Sequence, residues 1–254
     1  ICLSFDDALK CQYDIALPLL RKNNISAFFF VYSSAFSETP DYLEIFRYFR
    51  TTHFDNIDRF YKYFFDFLIK NDKDNYLNQQ KKYSSLNYLA NFSFYSEDDK
   101  WFRYIRDQYL GNTKYKNIML ELISDKGFDI NVAKKNLWMK EEELLKIHED
   151  GHVVGLHSYS HPTEMSKLSV DQQLNEYKKN FTHLSKVLKT SEITSMSHPC
   201  GDYNLNTLNV LKEMGIQIGF RSNMSIKEIK SPLEIPREDH INIFNEMVNE
   251  SNDI

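Results

Sequence analysis

Gly151-His152-Val153-Val154-Gly155-Leu156-His157-Ser158-Tyr159-Ser160-His161-Pro162 sets two imidazoles four residues apart at the end of a short apolar run. Val153 to Leu156 reads as a buried strand, since so brief and unbroken an apolar run suits a strand covered on both faces. Gly151 stops the helical pattern of Lys140 to Asp150, and Pro162 bars further regular structure. His157 and His161 therefore stand at the lip of a sheet, on one turn of the chain, where both can meet a single metal ion. A polar loop with two half-exposed histidines is the alternative that the pair alone leaves open. His148 and His152 share the spacing but straddle a helix and the turn after it, and are read as structural or solvated.

A second polar knot lies at the start, where Leu3-Ser4-Phe5-Asp6-Asp7 again places charge after an apolar run. A catalytic zinc site takes three protein ligands and leaves a position for water, and two histidines with one carboxylate is a known set. Asp7 completes that set with His157 and His161. Asp6, next to it, is placed to take the proton of a water close to a cation.

The remaining pattern alternates strand and helix. Ile1 to Phe5 reads as a strand, Lys10 to Asn24 as a helix, and Ala27 to Tyr32 as a strand buried on both faces. Ser169 to Leu188 is a long amphipathic helix capped by Ser169, with His183 on its exposed face. Ile193 to Ser197 and Ile216 to Phe220 are further strands, separated by a helix from Leu205 to Met214 that Gly215 closes. Such alternation predicts an α/β fold with functional residues at the carboxyl ends of parallel strands. Between about Asp41 and Asn136 the texture changes: tyrosine and phenylalanine are dense, charges are interleaved and glycine is scarce. That stretch reads as an all-helical insertion, and the stripe Phe60, Tyr63, Phe64, Phe67 as its buried face. The domains are thus expected at 1–40 with 137–254, and at 41–136.

At 254 residues the chain has room for one large core, and a formal charge of −5 with no Lys/Arg cluster argues against a nucleic-acid partner. No apolar run reaches the roughly 18 to 20 residues of a membrane helix. Three cysteines without framework spacing, Cys2, Cys11 and Cys200, argue for a reducing compartment and favour the cytoplasm. The chain opens on Ile1 inside a strand, so an upstream start is left open.

Ser4-Phe5-Asp6-Asp7 and His157-Ser158-Tyr159-Ser160-His161-Pro162 resemble the first two motifs of the polysaccharide deacetylases, carbohydrate esterase family four. Asp14 to Val31 is similar to that family's first helix and next strand, so the resemblance covers about 1–40 and 137–240. It implies a distorted (β/α) barrel of about seven strands and a metal-dependent hydrolase that removes an N-acetyl group from an acetamido sugar. Zinc is the expected ion, with cobalt, nickel or iron accepted by the same ligands. The turn His198 to Asn204 resembles the third motif in Pro199 and Gly201, which together with Tyr203 are the expected substrate-binding residues. By the same resemblance the backbone N–H of Cys200 faces the developing oxyanion. The motif's arginine, which orients the catalytic aspartate, is replaced by Ser197. Some divergent members carry Ile/Leu-Pro-Arg later in the chain, which assigns Arg237 of Ile235-Pro236-Arg237 to Asp6. The family's late general-acid histidine has no clear counterpart, and His240 and His198 are the candidates. Two alternatives stay open beside the N-deacetylase: a deformylase or amidase on a small nucleotide- or lipid-linked sugar, with the insertion capping the barrel mouth, and a carbohydrate-binding pseudoenzyme that keeps the metal.

Overall fold

In the computed structural model, which describes residues 1–38, 42–90, 95–226 and 228–252, five short strands run parallel in one sheet. The strands are β1 (Leu3–Asp6), β2 (Ala27–Val31), β3 (Val153–Leu156), β4 (Ser195–Ser197) and β5 (Ile218–Phe220), side by side in chain order. The helices are α1 (Leu17–Asn23), α2 (Tyr42–Thr52), α3 (Ile57–Tyr83), α4 (Glu97–Tyr104), α5 (Gly111–Asp125), α6 (Ile130–Leu137), α7 (Glu141–Glu149), α8 (Val170–Leu188), α9 (Leu205–Glu213) and α10 (His240–Asn252). The chain divides into two compact units, Ile1–Asp41 with Asn136–Ile254, and Tyr42–Lys135.

The first unit is a curled, parallel half-barrel. Its apolar core lies on the outer face of the sheet, where Phe29, Val31, Val154, Leu156 and Met196 pack with Leu17, Leu144, Tyr177, Leu184 and Leu211 from the helices. Alternate residues face the other way, since side chains switch faces at each step along a strand. On that inner face Phe28 and Phe30 of β2 meet Phe220 of β5, with ring centroids 5.2 and 5.4 Å apart. Gly155 is required there: a Cβ would lie 2.5 Å from Ser195 Oγ and 2.8 Å from Phe30 Cδ1. The inner face thus closes tightly below the strand ends.

About seven strands were expected, and five are found among the described residues. A sixth position is only begun: Phe220 bridges Ile235 in parallel, with Ile235 N–H donating to Gly219 O at 2.9 Å and Arg221 N–H to Ile235 O at 2.8 Å. Pro232 and Pro236 flank this segment, and a proline has no N–H to extend a ladder. The helix expected from Lys10 also differs. A π-helical turn at Gln12–Ala16 precedes α1, whose Pro18 lacks the N–H that a regular α-turn would use. Ser169 caps α8 as expected, its hydroxyl accepting from Gln172 N–H in a reciprocal capping box.

The second unit is helical among its described residues, α2 to α5 and most of α6. Phe60 and Phe64 are fully buried, but the rest of the buried face of α3 is Tyr61, Phe65, Leu68 and Tyr76, whereas Tyr63 and Phe67 are half-buried. The buried stripe is therefore one residue displaced from the expected one, because aromatic neighbours on other helices, Phe102 above all, draw in both Tyr61 and Phe64. Asp41 and residues 91–94 of the aromatic run lie outside the described residues.

Candidate active site

Three donor atoms converge at the carboxyl ends of β1 and β3. Asp7 Oδ1 lies 3.5 Å from His157 Nε2 and 3.4 Å from His161 Nε2, and the ligand atoms of all three residues lie within 4.8 Å of one another. Zinc–nitrogen and zinc–oxygen bonds of about 2.0–2.1 Å in a tetrahedron place neighbouring ligands roughly 3.3–3.4 Å apart, so this donor set fits such an ion. His157 Nδ1 is 2.8 Å from Ser197 O, a contact that only an N–H can make, so Nε2 is the ring atom turned to Asp7 and His161 and the one that would meet an ion in place of its proton. The site is nearly closed, with His157 2% and His161 9% exposed.

The backbone is strained where these residues sit. Asp7 (φ +77°), Ser158 (φ +63°) and His161 (φ +54°) all occupy the left-handed region, which costs non-glycine residues of order 1–3 kcal/mol each. Local bonds hold them. Asp7 N–H donates to Phe30 O at 3.0 Å, and His161 N–H to Ser158 Oγ at 3.1 Å. Glu176 of α8 accepts from the N–H groups of Tyr159 (3.1 Å) and Ser160 (2.8 Å) and from Ser160 Oγ (2.9 Å), fastening the loop between the two histidines. Asn180 fixes its base: Asn180 Oδ1 accepts from His157 N–H at 2.9 Å, and Asn180 Nδ2 donates to Val31 O and Ser33 Oγ.

Asp6 stands beside this cluster with Oδ2 3.9 Å from His157 Nε2. Arg237 grips it in a two-pronged pair, Nη1 to Oδ1 at 2.8 Å and Nη2 to Oδ2 at 2.7 Å. Burial alone would raise the Asp6 carboxyl, but His157 and then the Arg237 guanidinium outweigh it and hold the group below the usual carboxylate range. The bridge of Ile235 to β5 brings Arg237 round to β1, where its guanidinium links Arg221 O, just after β5, to Ser4 and Asp6 of β1.

The other expected residues divide. Pro199 is buried in a turn, Pro199–Gly201, where Cys200 has φ +53° and Gly201 φ +70°. Tyr203 stacks on His198 with centroids 4.2 Å apart and donates its hydroxyl to Glu234 at 2.9 Å. His240 is not brought to the site: its side chain is 94% exposed and pairs with its neighbour Asp239 at the head of α10. His198 is buried, its Nε2–H donating to Leu233 O at 2.9 Å, and burial pushes it down to about 4. It is a neutral staple for the segment that carries Arg237, rather than a proton donor near neutrality.

Several residues of the cluster escape sequence reasoning. Ser197 reads there as an empty position, yet its hydroxyl donates to Asp6 Oδ2 at 3.2 Å. Asn180 and His183 are hidden in an amphipathic helix. His183 is not on the exposed face: its Nδ1 lies 2.8 Å from Ser33 Oγ and its Nε2 3.0 Å from Glu141. Gln12, whose Nε2 donates to Asp6 O at 2.5 Å, sits in the π-helical turn that no periodicity announces.

Residues 118–219 match the family model described as Polysaccharide deacetylase. The match includes the histidine motif and the Pro199–Gly201 turn and leaves out Asp6, Asp7 and Arg237. Among solved structures, the deacetylase domain of BpsB from Bordetella bronchiseptica is 14% identical, with a TM-score of 0.51, covering 94% of this chain and 70% of that one. A de-N-acetylase from Aggregatibacter actinomycetemcomitans is 11% identical with a TM-score of 0.50, over 96% of this chain and 73% of that one. The Streptococcus pyogenes deacetylase PplD, solved with acetate, is 15% identical with a TM-score of 0.49, over 93% of this chain and 62% of that one. The chain therefore spans less than two thirds of PplD. No curated protein matches the chain. In its fold and in the matched stretch, which holds the histidine motif, the half-barrel unit is similar to the polysaccharide deacetylases.

Proposed function

We propose that this protein is a metal-dependent hydrolase that removes an N-acetyl group from an acetamido sugar. The observation that carries the reading is the convergence of Asp7, His157 and His161 beside an Asp6 that Arg237 holds ionised and fixed. A divalent ion on those three residues supplies Lewis-acid polarisation of the acetamide carbonyl and eases ionisation of the attacking water, with zinc expected and cobalt, nickel or iron accepted. Asp6 takes the proton of that water. Its low pKa keeps it ready as a base, and the paired hydrogen bonds to Arg237 keep its carboxylate in one plane. The Cys200 N–H is assigned to the oxyanion by its place between Pro199 and Gly201, and Tyr203 to one wall of the sugar site.

A second reading is favoured by one observation: neither His240, in solvent, nor His198, neutral and bonded to Leu233 O, is set to protonate the leaving amine. On that reading the protein binds acetylated saccharides without turning them over. The test is a mass-spectrometric screen of acetylated sugar nucleotides and oligosaccharides with zinc- and cobalt-loaded protein. Loss of one acetyl group, abolished by Asp6→Asn, supports the hydrolase. Saturable saccharide binding with every acetyl group retained supports the second reading and rejects the first.

A further inference from the structure

We infer that Ser197 is a positioning residue that, together with Ser4, locks the Asp6–Arg237 pair in its working orientation; this rests on the deacetylase reading. Ser197 closes β4 and is 0% exposed. Its hydroxyl accepts from Arg237 Nη2 at 2.9 Å and donates to Asp6 Oδ2 at 3.2 Å. A hydroxyl can do both at once, because it carries one donor and two acceptor lone pairs.

The case becomes firmer when the donors of Arg237 are followed individually. A guanidinium has five N–H groups in a rigid fork and no acceptor. Here Nε donates to Arg221 O at 2.7 Å, Nη1 to Asp6 Oδ1 (2.8 Å) and Ser4 Oγ (3.1 Å), and Nη2 to Asp6 Oδ2 (2.7 Å) and Ser197 Oγ (2.9 Å). All five donors have an acceptor, drawn from β1, from the end of β4 and from the residue after β5. With the two serine hydroxyls removed, the pair keeps its charge but loses the bonds that set its tilt, and partly buried N–H groups are left without partners. Ser197 also serves the neighbouring imidazole, since its carbonyl accepts from His157 Nδ1–H. One residue thus aligns the base through its side chain and the metal-facing histidine through its backbone. Only the side-chain role is open to substitution, which separates the two.

The experiment compares wild type, Ser197→Ala, Ser197→Cys and Ser4→Ala for kcat and KM on an acetylated chito-oligosaccharide, with zinc content by plasma emission and a crystal structure of Ser197→Ala. Cysteine keeps the volume and donates only weakly, so it holds packing apart from hydrogen bonding if the alanine variant folds poorly. Ser197→Ala and Ser197→Cys should lose about ten- to a hundred-fold in kcat with KM within about two-fold and the ion retained. Ser4→Ala, which touches only the arginine, should lose less. In the Ser197→Ala crystal the carboxylate of Asp6 or the guanidinium should be rotated. Full kcat in both Ser197 variants, loss of the ion, or an unmoved Asp6–Arg237 fork overturns the inference. If the wild type itself releases no acetate, the deacetylase reading fails, and the crystal structure alone decides whether Ser197 orients the pair.

Discussion

The two ends of β3 carry the same spacing of histidines and opposite chemistry. At the amino end, His152 is 6% exposed and its Nδ1 accepts from Ala27 N–H at 3.1 Å, while His148 sits half-buried on α7. At the carboxyl end, His157 and His161 turn their Nε2 atoms to one carboxylate oxygen. Spacing alone does not separate them. What separates them is the third group: the parallel register of β1, β2 and β3 delivers Asp6 and Asp7 to the carboxyl end, where Asp7 N–H is anchored on Phe30 O and His157 N–H on Val31 O. A histidine pair becomes a candidate site where the sheet topology supplies a charge partner, and remains a packing element where it supplies a backbone N–H.

The largest expected effect would break this contrast outright. His157→Ala with His161→Ala should reduce bound divalent ion from one per chain to almost none, whereas His148→Ala with His152→Ala should leave it unchanged, as read by plasma emission. Equal loss in both would show that the two ends are not different in kind.

Next is a division within the carboxyl end. Asp6→Asn should keep the ion and lower turnover by about 10²–10⁴-fold, the usual contribution of a positioned base. Asp7→Asn should instead weaken the ion itself, measured by competition with a chelator. Smaller again is Arg237→Lys, where a point charge replaces a planar fork; a fall of about ten- to a thousand-fold in kcat with unchanged metal content is expected. A lysine variant with full turnover would remove the fork from the mechanism.

Acid should act through the buried, neutral rings. Burial lowers His198 from 6.5 to about 4, so the unfolded chain binds a proton before the folded one does. Stability then falls as pH drops from about 6.5 through about 4, by an order of ~3 kcal/mol for this ring, and His152, also lowered by burial, adds in the same direction. Denaturant midpoints at pH 7 and pH 4.5 measure the loss, and His198→Gln should flatten the profile. The smallest effect is that of His152→Ala at neutral pH. It strands Ala27 N–H and should cost about 1–3 kcal/mol without touching metal content.

Much of the half-barrel is legible before folding because its signals are local. Apolar runs mark β1 to β5 within a few residues, Ser169 announces the start of α8, and Gly215, at φ +81°, marks the end of α9. Polar residues directly after apolar runs, such as Asp6 and His157, advertise strand ends. The stripe on α3 is less legible, since which aromatic faces inward depends on rings from helices distant in sequence. His240 illustrates the same limit: a histidine beside a motif looks available, but the start of α10 turns it to solvent.

Sequence by itself determined the donor types, Asp7, His157 and His161, their positions at strand ends, and an arginine at 237 that could serve Asp6. Only the tertiary structure decided that this arginine does reach Asp6, that Ser197 completes its bonding rather than leaving a gap, and that Asn180, Glu176 and Gln12 brace the site. The physical reason is distance along the chain. A hydrogen bond such as Arg237 to Asp6 joins residues 231 apart, and nothing in the local pattern of either segment encodes a register that the curl of the sheet sets.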